Sequence, residues 1–128
     1  MNELQKALKT NALFSSISGI IMILLNRQIA DLFGTTNNTI FWIVGLILIY
    51  FATTIWYEIT KQRRRAVLWI IIQDYAWVLG SLVLIIFNPF QITQIGSLII
   101  GIIAFIVLYM GINQMIRLNK ATGNNMYD

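Results

Sequence analysis

The sequence predicts an all-α polytopic membrane protein, a bundle of four transmembrane helices in a single domain over residues 1–128. Composition provides two of the observations behind this prediction, because 58% of the residues are hydrophobic and only 11% are charged. A soluble domain usually contains about 45–50% apolar and about 25% charged residues. The third observation is that four long apolar runs alternate with polar connections. We therefore expect the chain to reside in a membrane, with lipid as its surroundings.

The four apolar runs define the predicted spans. They cover residues 11–26, 40–58, 66–87 and 96–117. A helix needs about 20 residues to cross a hydrocarbon core about 30 Å thick, and the first run is short for that purpose. Leu4 and Leu8 share one helical face from which Lys6 is turned away. We therefore expect the first helix to begin near Leu4, in the interfacial region.

The basic residues predict the orientation of these spans. Of the nine Lys and Arg residues, only Arg27 falls on the side opposite to the others. The positive-inside rule then places both termini and the KQRRR segment, residues 61–65, in the cytoplasm. KQRRR also has the composition of nucleic-acid or anionic-lipid binding segments, but orientation explains it better, and we expect no nucleic-acid partner. The predicted location is the cytoplasmic membrane, crossed several times.

The composition also excludes several kinds of chemistry. The chain contains no cysteine and no histidine, so we expect no disulfide, zinc site, iron–sulfur cluster or His-ligated haem. The spans hold one deep carboxylate, and no serine has an evident base beside it. The paired groups of acid–base or nucleophilic catalysis are therefore missing. We predict a protein without cofactor or metal that is not an enzyme.

The two halves of the chain are weakly similar. GIIMILLN at residues 19–26 aligns with SLVLIIFN at residues 81–88, and Glu58 aligns with Gln114 when the second and fourth spans are overlaid. The pattern suggests two helical hairpins related by a pseudo-two-fold axis along the membrane normal, an arrangement that places sites between the halves. Asp74 aligns with Ala12, so the acid belongs to one half only.

Small residues four positions apart predict where helices approach closely, since they allow backbones to come together. Such pairs occur in three spans: Ser15/Gly19, Ala76/Gly80 and Ser97/Gly101. Ala76 and Gly80 lie on a different face of the third span from Asp74. We therefore expect the third helix to contact neighbours on two faces and to be central in the bundle.

Asp74 is the most informative residue of the chain. It lies in the apolar stretch WIIIQDYAWVLGS, roughly 12 Å along the helix from Ala66. Placing an aspartate at the centre of a membrane helix costs about 2.5–3.5 kcal/mol. No other span carries a central Lys or Arg, so the chain offers no evident cationic partner. The acid is then either neutral and hydrogen-bonded, or it faces a polar cavity, or it meets a partner subunit.

Other polar residues lie at comparable or shallower depth, whereas the outer halves of the first, third and fourth spans are almost purely aliphatic. This asymmetry predicts a polar pocket that faces the cytoplasm. The candidate ligand-binding or proton-relay residues are Asp74, Trp77, Ser81, Ser15, Ser18, Tyr109 and Thr54. For any single Ser or Thr the ordinary alternative is a hydrogen bond to its own helix backbone. We expect Asn113 and Gln114 to extend to the interface instead.

Two segments carry a resemblance to known proteins. Residues 11–19 read NALFSSISG and residues 74–81 read DYAWVLGS. They resemble the patterns Asn-Ala-x-Phe-Ser-x-x-Ser-Gly and Asp-x-x-Trp-Val-x-Gly-Ser of small, uncharacterised four-helix integral membrane proteins that are widespread in bacteria. The resemblance extends over most of the chain. It implies a bacterial inner membrane setting and no particular activity.

Two function classes follow from the sequence. In the first, the Asp74 pocket binds or transports a small ligand, such as a cationic amphipathic molecule, or a proton. In the second, the chain is a structural or accessory subunit of a membrane complex, and its polar residues join helices or face a partner. Four short helices enclose little volume, so an ion pathway requires a homo-oligomer or a partner membrane subunit.

Overall fold

The computed structural model describes residues 2–124, and side chains for residues 2–120. All of its regular structure is helical in this part of the chain. The five helices are α1 (Glu3–Leu24), α2 (Asn26–Leu32), α3 (Thr39–Lys61), α4 (Arg64–Phe87) and α5 (Gln94–Asn124). Four of them, all but α2, are long and apolar enough to cross a membrane. The predicted all-α architecture of four membrane-spanning helices is confirmed.

The first span is longer than the apolar run that predicted it, because α1 begins at Glu3. The Asn2 side chain accepts a hydrogen bond from the Gln5 backbone N–H at 2.7 Å, and the Gln5 side chain accepts one from the Asn2 backbone N–H at 3.0 Å. This capping box satisfies two amide groups at the exposed start of the helix. The early start near Leu4 is confirmed.

The connection after α1 contains a short helix, which none of the four apolar runs covers. This seven-residue helix, α2, follows a break at Leu25. The Thr93 hydroxyl, in the connection between α4 and α5, donates a hydrogen bond to the Leu32 carbonyl at the end of α2 at 2.5 Å. The rings of Phe33 and Phe41 also meet edge-on at 5.2 Å. The helix α2 therefore lies across one end of the bundle.

The opposite end gathers the start of α1 and the ends of α3 and α5. The Gln5 side chain donates a hydrogen bond to the Ile59 carbonyl at 2.9 Å. An ion pair at 3.6 Å joins Glu3 to Arg117. All basic residues except Arg27 belong to helix termini or connections at this end, which we call the basic end. We expect it to be cytoplasmic.

The bundle consists of two closely packed hairpins. Helix α1 packs mainly on α3, and α4 packs mainly on α5; α1 also meets α5, whereas α3 and α4 touch sparingly. The closest approach is between Gly19 and Gly45, since a Cβ atom on either would lie 2.9 or 2.8 Å from the other's carbonyl oxygen. Only glycine permits this backbone contact. The small-residue face of Ser15 and Gly19 is thus an ordinary helix contact.

The second hairpin is looser in its outer half. The nearest atom to a Cβ placed on Gly101 is Ile85 Cδ1 at 3.7 Å, an ordinary van der Waals distance. When the two halves of the chain are aligned, this hairpin corresponds to the first, but it lacks an equivalent of the Gly19–Gly45 contact. The two hairpins therefore share a topology and differ in how closely their helices approach.

The expectation of two contacting faces on α4 is wrong. Ala76 and Gly80 are exposed, and a Cβ atom on Gly80 would meet nothing within 4 Å. The buried residues of α4 form a single stripe: Val67, Ile70, Ile71, Asp74 and Val78. Since α5 and α1 both pack on that stripe, the small residues face outward. The helix lies at a corner of the bundle rather than at its centre.

The core has two apolar clusters. The larger one lies toward the basic end and includes Leu8, Ile55 and Ile71. The smaller one is formed by Val78, Val107 and Met110, with the half-buried Phe14 and Trp77 against it. Along α4, Asp74 lies between Ile71 of the first cluster and Val78 of the second. The acid is therefore enclosed by apolar packing above and below.

Candidate functional site

The site begins with the burial of Asp74, whose exposed fraction is 1%. The side chain belongs to the buried stripe of α4, one turn from both Ile70 and Val78. Helix α5 comes close at this level because it carries Gly111, where a Cβ atom would lie 2.9 Å from the Tyr75 ring and 3.5 Å from Asp74 Cβ. Glycine at this position lets α5 close over the acid.

Two amide side chains donate hydrogen bonds to the same carboxylate oxygen of Asp74. Asn11 Nδ2 on α1 donates to Oδ2 at 2.8 Å, and Gln114 Nε2 on α5 donates to Oδ2 at 2.6 Å. The two amides are also joined to each other, because Asn11 Nδ2 lies 3.0 Å from Gln114 Oε1. Three helices thus meet at one oxygen atom.

Ser15 completes the arrangement from α1. Its hydroxyl donates a hydrogen bond to Asn11 Oδ1 at 3.1 Å, and the four-residue spacing places both side chains on one helical face. Asn11 and Gln114 are 0% exposed and Ser15 is 4% exposed. We call Asp74, Asn11, Ser15 and Gln114 the Asp74 network. Among the described residues, no buried side-chain nitrogen or oxygen atom lacks a hydrogen-bond partner.

The Asp74 network contains no cation. The ion pairs within the described part of the chain join Lys6 and Arg117 to Glu3, and Arg63 to Glu58. Among these ion pairs, none includes Asp74. Its negative charge, when present, is stabilised by amide dipoles alone. Hydrogen bonds to an ionised group are stronger than those between neutral groups, but they do not neutralise the charge.

The structure separates the candidate residues into two groups. Ser15 joins the Asp74 network, whereas two other hydroxyls bond to their own helices: Ser81 to the Trp77 carbonyl at 2.7 Å and Thr54 to the Phe51 carbonyl at 2.6 Å. Those two bonds follow the ordinary behaviour of helical Ser and Thr.

Tyr109, Trp77 and Ser18 lie outside the hydrogen bonds of the network. Tyr109 was placed wrongly, since 65% of it is exposed on the outer surface of α5. Helical geometry explains the error, because Tyr109 follows Val107 by two positions and so faces away from the buried stripe. Trp77 is half-buried beside the smaller apolar cluster, and Ser18 is half-buried on α1.

Gln114 is the site residue that the sequence reasoning misassigned. Its depth near the end of the fourth run suggested an interfacial side chain, but it is completely buried. The signal lay in the spacing, since Val107, Met110, Gln114 and Leu118 form one buried stripe at helical intervals. A polar residue within such a stripe faces the interior, where it needs a polar partner.

The predicted pocket around Asp74 is filled by its own network. Two recesses lie on the outside of the bundle: one between α3 and α4 near the basic end, the other along α5 near Gly101. Neither is lined by a residue of the Asp74 network. The carboxylate of Asp74 is enclosed by the side chains of its own network, so the present packing has no recess for an organic ligand beside it.

A second buried acid, Glu58, has a different environment. It is 3% exposed, and both of its carboxylate oxygens accept hydrogen bonds from Arg63, through Nε at 3.2 Å, through Nη2 and through the backbone N–H at 3.3 Å. The hydrogen bond and the charge of Glu58 raise the pKa of Arg63 above its ordinary value. This acid is fully paired at the turn between α3 and α4.

No protein-family model, no curated protein and no solved structure matches the chain. The function must therefore be inferred from the Asp74 network and from the surfaces of the bundle. The network offers one acid, two primary amides and one hydroxyl, all within a membrane-spanning bundle.

Proposed function

We propose that the chain is a non-catalytic integral membrane protein in which the Asp74 network binds a proton or a small cation. The single observation that carries this proposal is a completely buried carboxylate without a cationic partner among the described residues. An isolated charge in a medium of low dielectric constant is costly, and binding one positive charge removes that cost. Ionisable residues inside membranes usually belong to such sites.

The network suits a small positive species. The amide nitrogens of Asn11 and Gln114 point at Asp74 Oδ2, so a hard cation would bind there only with the amides turned to present their oxygen atoms, whereas a proton binds on the carboxylate itself. A larger cationic amphipathic ligand would require α1, α4 and α5 to separate. We therefore place the proton first and an organic ligand second.

Binding at this position would be coupled to helix packing. Because Asp74 Oδ2 receives donors from both α1 and α5, a change in its charge alters the strength of the bonds that join three helices. Transport across the membrane further requires access from both sides, and an oligomer or partner subunit is the expected source of such a path. Orientation with the basic end in the cytoplasm belongs to the same proposal.

Infrared spectroscopy of the purified protein in lipid tests the proposal. The protonated carboxyl group has its own stretching band, and Asp74→Asn removes that carboxyl while keeping a side chain of nearly equal size. We expect a pH-dependent carboxyl band in the wild type that is missing in Asp74→Asn. Absence of any Asp74-dependent band at every pH at which the protein stays folded would contradict proton binding.

A second candidate function is a structural or accessory subunit of a membrane complex. One observation favours it: the hydrogen bonds of the network are closed on themselves, as expected of interhelical contacts that only hold the bundle together. In that case Asp74→Asn lowers the thermal stability of the protein or of its complex, and the infrared band does not respond to pH. A variant as stable as wild type that has lost the pH-dependent band supports the first candidate over the second.

A further inference from the structure

The groove between α3 and α4 has a shape and charge that the Asp74 network does not use. Helices α3 and α4 touch sparingly, and a recess of about 360 Å³ lies between them near the basic end. Its volume falls within the range of about 300–1,000 Å³ that is typical of small-molecule sites. The recess opens to the outside of the bundle, where lipid surrounds a membrane protein.

The lower part of this groove is apolar. Ala66, Trp69 and Ile70 of α4 form one wall. On the α3 side, the hydroxyls of Thr53 and Thr54 are engaged by their own helix, at 2.6 Å from the carbonyls of Tyr50 and Phe51. The hydroxyl hydrogens of both threonines are therefore not available to a ligand in the groove. Such a surface suits hydrocarbon rather than a sugar or a peptide.

The upper lip of the groove is strongly basic. Residues 61–65 contain four cations, and Glu58 is the acid that pairs with Arg63 among them. Arg63 lines the groove, and its side chain is 60% exposed although its guanidinium holds Glu58. Glu58 itself is buried and fully engaged, so it does not attract a second cation.

Tyr57 gathers two of these cations at one place. Lys61 Nζ lies 5.8 Å and Arg63 Cζ lies 5.5 Å from the centre of the Tyr57 ring, both within cation–π range. The Tyr57 ring lines the groove, so both cations lie beside its entrance. An anionic group bound at the ring would be attracted by both cations and gain charge-assisted hydrogen bonds.

The aromatic residues indicate the depth of the groove in the membrane. Tyr57 and Trp69 line it and are 54% and 61% exposed. Tyrosine and tryptophan side chains of membrane proteins are enriched at the level of the lipid headgroups. The basic lip is thus at headgroup level and the apolar wall lies toward the acyl chains. The expected cytoplasmic leaflet is also the one that carries anionic lipids.

We propose that the α3–α4 groove binds an anionic phospholipid, with its phosphate at Arg63 and Lys61 and the first part of an acyl chain against Ala66, Trp69 and Ile70. The inference is independent of proton binding at Asp74. The basic lip attracts any anion, but only a phospholipid also has an acyl chain that can pack against the apolar wall. The two features together favour a phospholipid over a soluble anion.

The test measures which lipids the full-length protein retains. The protein is reconstituted in vesicles of phosphatidylcholine and phosphatidylglycerol in equal amounts, extracted in mild detergent, and its bound lipids are quantified by mass spectrometry. We expect enrichment of phosphatidylglycerol over phosphatidylcholine. Removal of Lys61 and Arg63 should reduce the enrichment about fivefold for each cation. Equal retention of the two lipids by the wild type would overturn the proposal.

Two variants remove the groove's features separately. Lys61→Gln with Arg63→Gln is made together with Glu58→Gln, so that no buried acid remains unpaired. Ala66→Phe leaves every charge in place and fills the groove; it should lower retention of phosphatidylglycerol as well. If Ala66→Phe retains as much as the wild type, the groove is not the site.

The control is Lys9→Gln with Lys120→Gln, which removes two exposed cations from the same end outside the groove. It lowers the net charge by two, whereas the groove variant, which also loses Glu58, lowers it by one. We expect it to keep most of the enrichment. A loss as large as that of the groove variant would show that the basic end attracts anionic lipid through its overall charge, and would overturn a defined site.

Discussion

The two buried acids of this bundle, Asp74 and Glu58, are stabilised in different ways. Glu58 is 3% exposed and receives a guanidinium, whereas Asp74 is 1% exposed and receives only two amides and no cation among the described residues. Glu58 stands one turn before the end of α3, where a charged residue of the following turn can reach it. Asp74 is near the middle of α4, where no such residue is available.

The difference indicates different roles. A paired acid at a helix end fixes a turn, here the left-handed Gln62 and the start of α4. In the proposed function, Asp74 changes between its ionised and protonated forms, and that change alters the hydrogen bonds that join three helices.

The largest effect is expected from Asp74→Leu. The substitution leaves the amides of Asn11 and Gln114 without their carboxylate acceptor in an apolar interior, which should lower the free energy of unfolding by about 2–4 kcal/mol. Unfolding in a denaturing detergent, followed by tryptophan fluorescence, measures the loss. The matched variant Asp74→Asn retains an acceptor oxygen and should lose less than about 1 kcal/mol. Equal stability of Asp74→Leu and the wild type would show that the Asp74 network does not stabilise the bundle.

Gly45→Ala should have the next largest effect. A Cβ atom there would lie 2.8 Å from the Gly19 carbonyl oxygen and must force α1 and α3 apart, at a cost of about 1–3 kcal/mol. The same unfolding assay applies. Gly80→Ala is the control, because its Cβ atom would meet nothing and a helix favours alanine by about 0.5–1 kcal/mol. Changes of the same sign in the free energy of unfolding of the two variants would contradict the close contact of Gly19 and Gly45.

Arg63→Gln is expected to have a smaller effect than Asp74→Leu, because Arg63 is largely exposed and Glu58 can regain water near the helix end. Glu58 raises the pKa of Arg63 above its ordinary value. The stabilisation is therefore present below the unfolded pKa and is lost only as the pH rises through the still higher folded pKa. We expect the stability difference between Arg63→Gln and the wild type to stay constant from neutral to mildly alkaline pH. A difference that disappears in that range would argue against the ion pair.

The smallest effect is expected from Tyr109→Phe. The tyrosine is 65% exposed on the outside of α5, so loss of its hydroxyl should change the free energy of unfolding by less than about 0.5 kcal/mol. The carboxyl band of Asp74 should also be unchanged. A clear shift of that band would mean that Tyr109 reaches the interior, as the sequence suggested.

The sequence was sufficient for the architecture and for the central acid. Apolar runs of membrane length predict α1, α3, α4 and α5, because a helix is the only way for one segment to satisfy its backbone in lipid. Asp74 was recognisable because a carboxylate is rare at that depth. Its partner Asn11 was evident as a polar residue of the first span, but not as a ligand of the carboxylate.

The remaining errors have one physical origin, the rotation of each helix about its axis. Lipid tails are as apolar as the core, so hydrophobic periodicity marks the inner face of a membrane helix weakly. For this reason Tyr109 was predicted to face the site and Gln114 the interface. In the structure Tyr109 faces outward and Gln114 faces Asp74. Ala76 and Gly80 suggested a contact face that turned out to be exposed, because small residues permit close packing without requiring it.

One infrared comparison tests whether Asp74 binds a proton and whether the hydrogen bond from Gln114 stabilises its carboxylate. The pH titration of the carboxyl band is recorded in lipid for the wild type, Asp74→Asn, Gln114→Leu and Tyr109→Phe. We expect the carboxyl band of the wild type to be absent in Asp74→Asn, to titrate with a different midpoint in Gln114→Leu, and to be unchanged in Tyr109→Phe. A band that survives Asp74→Asn, or a titration in Gln114→Leu identical to that of the wild type, would contradict this expectation.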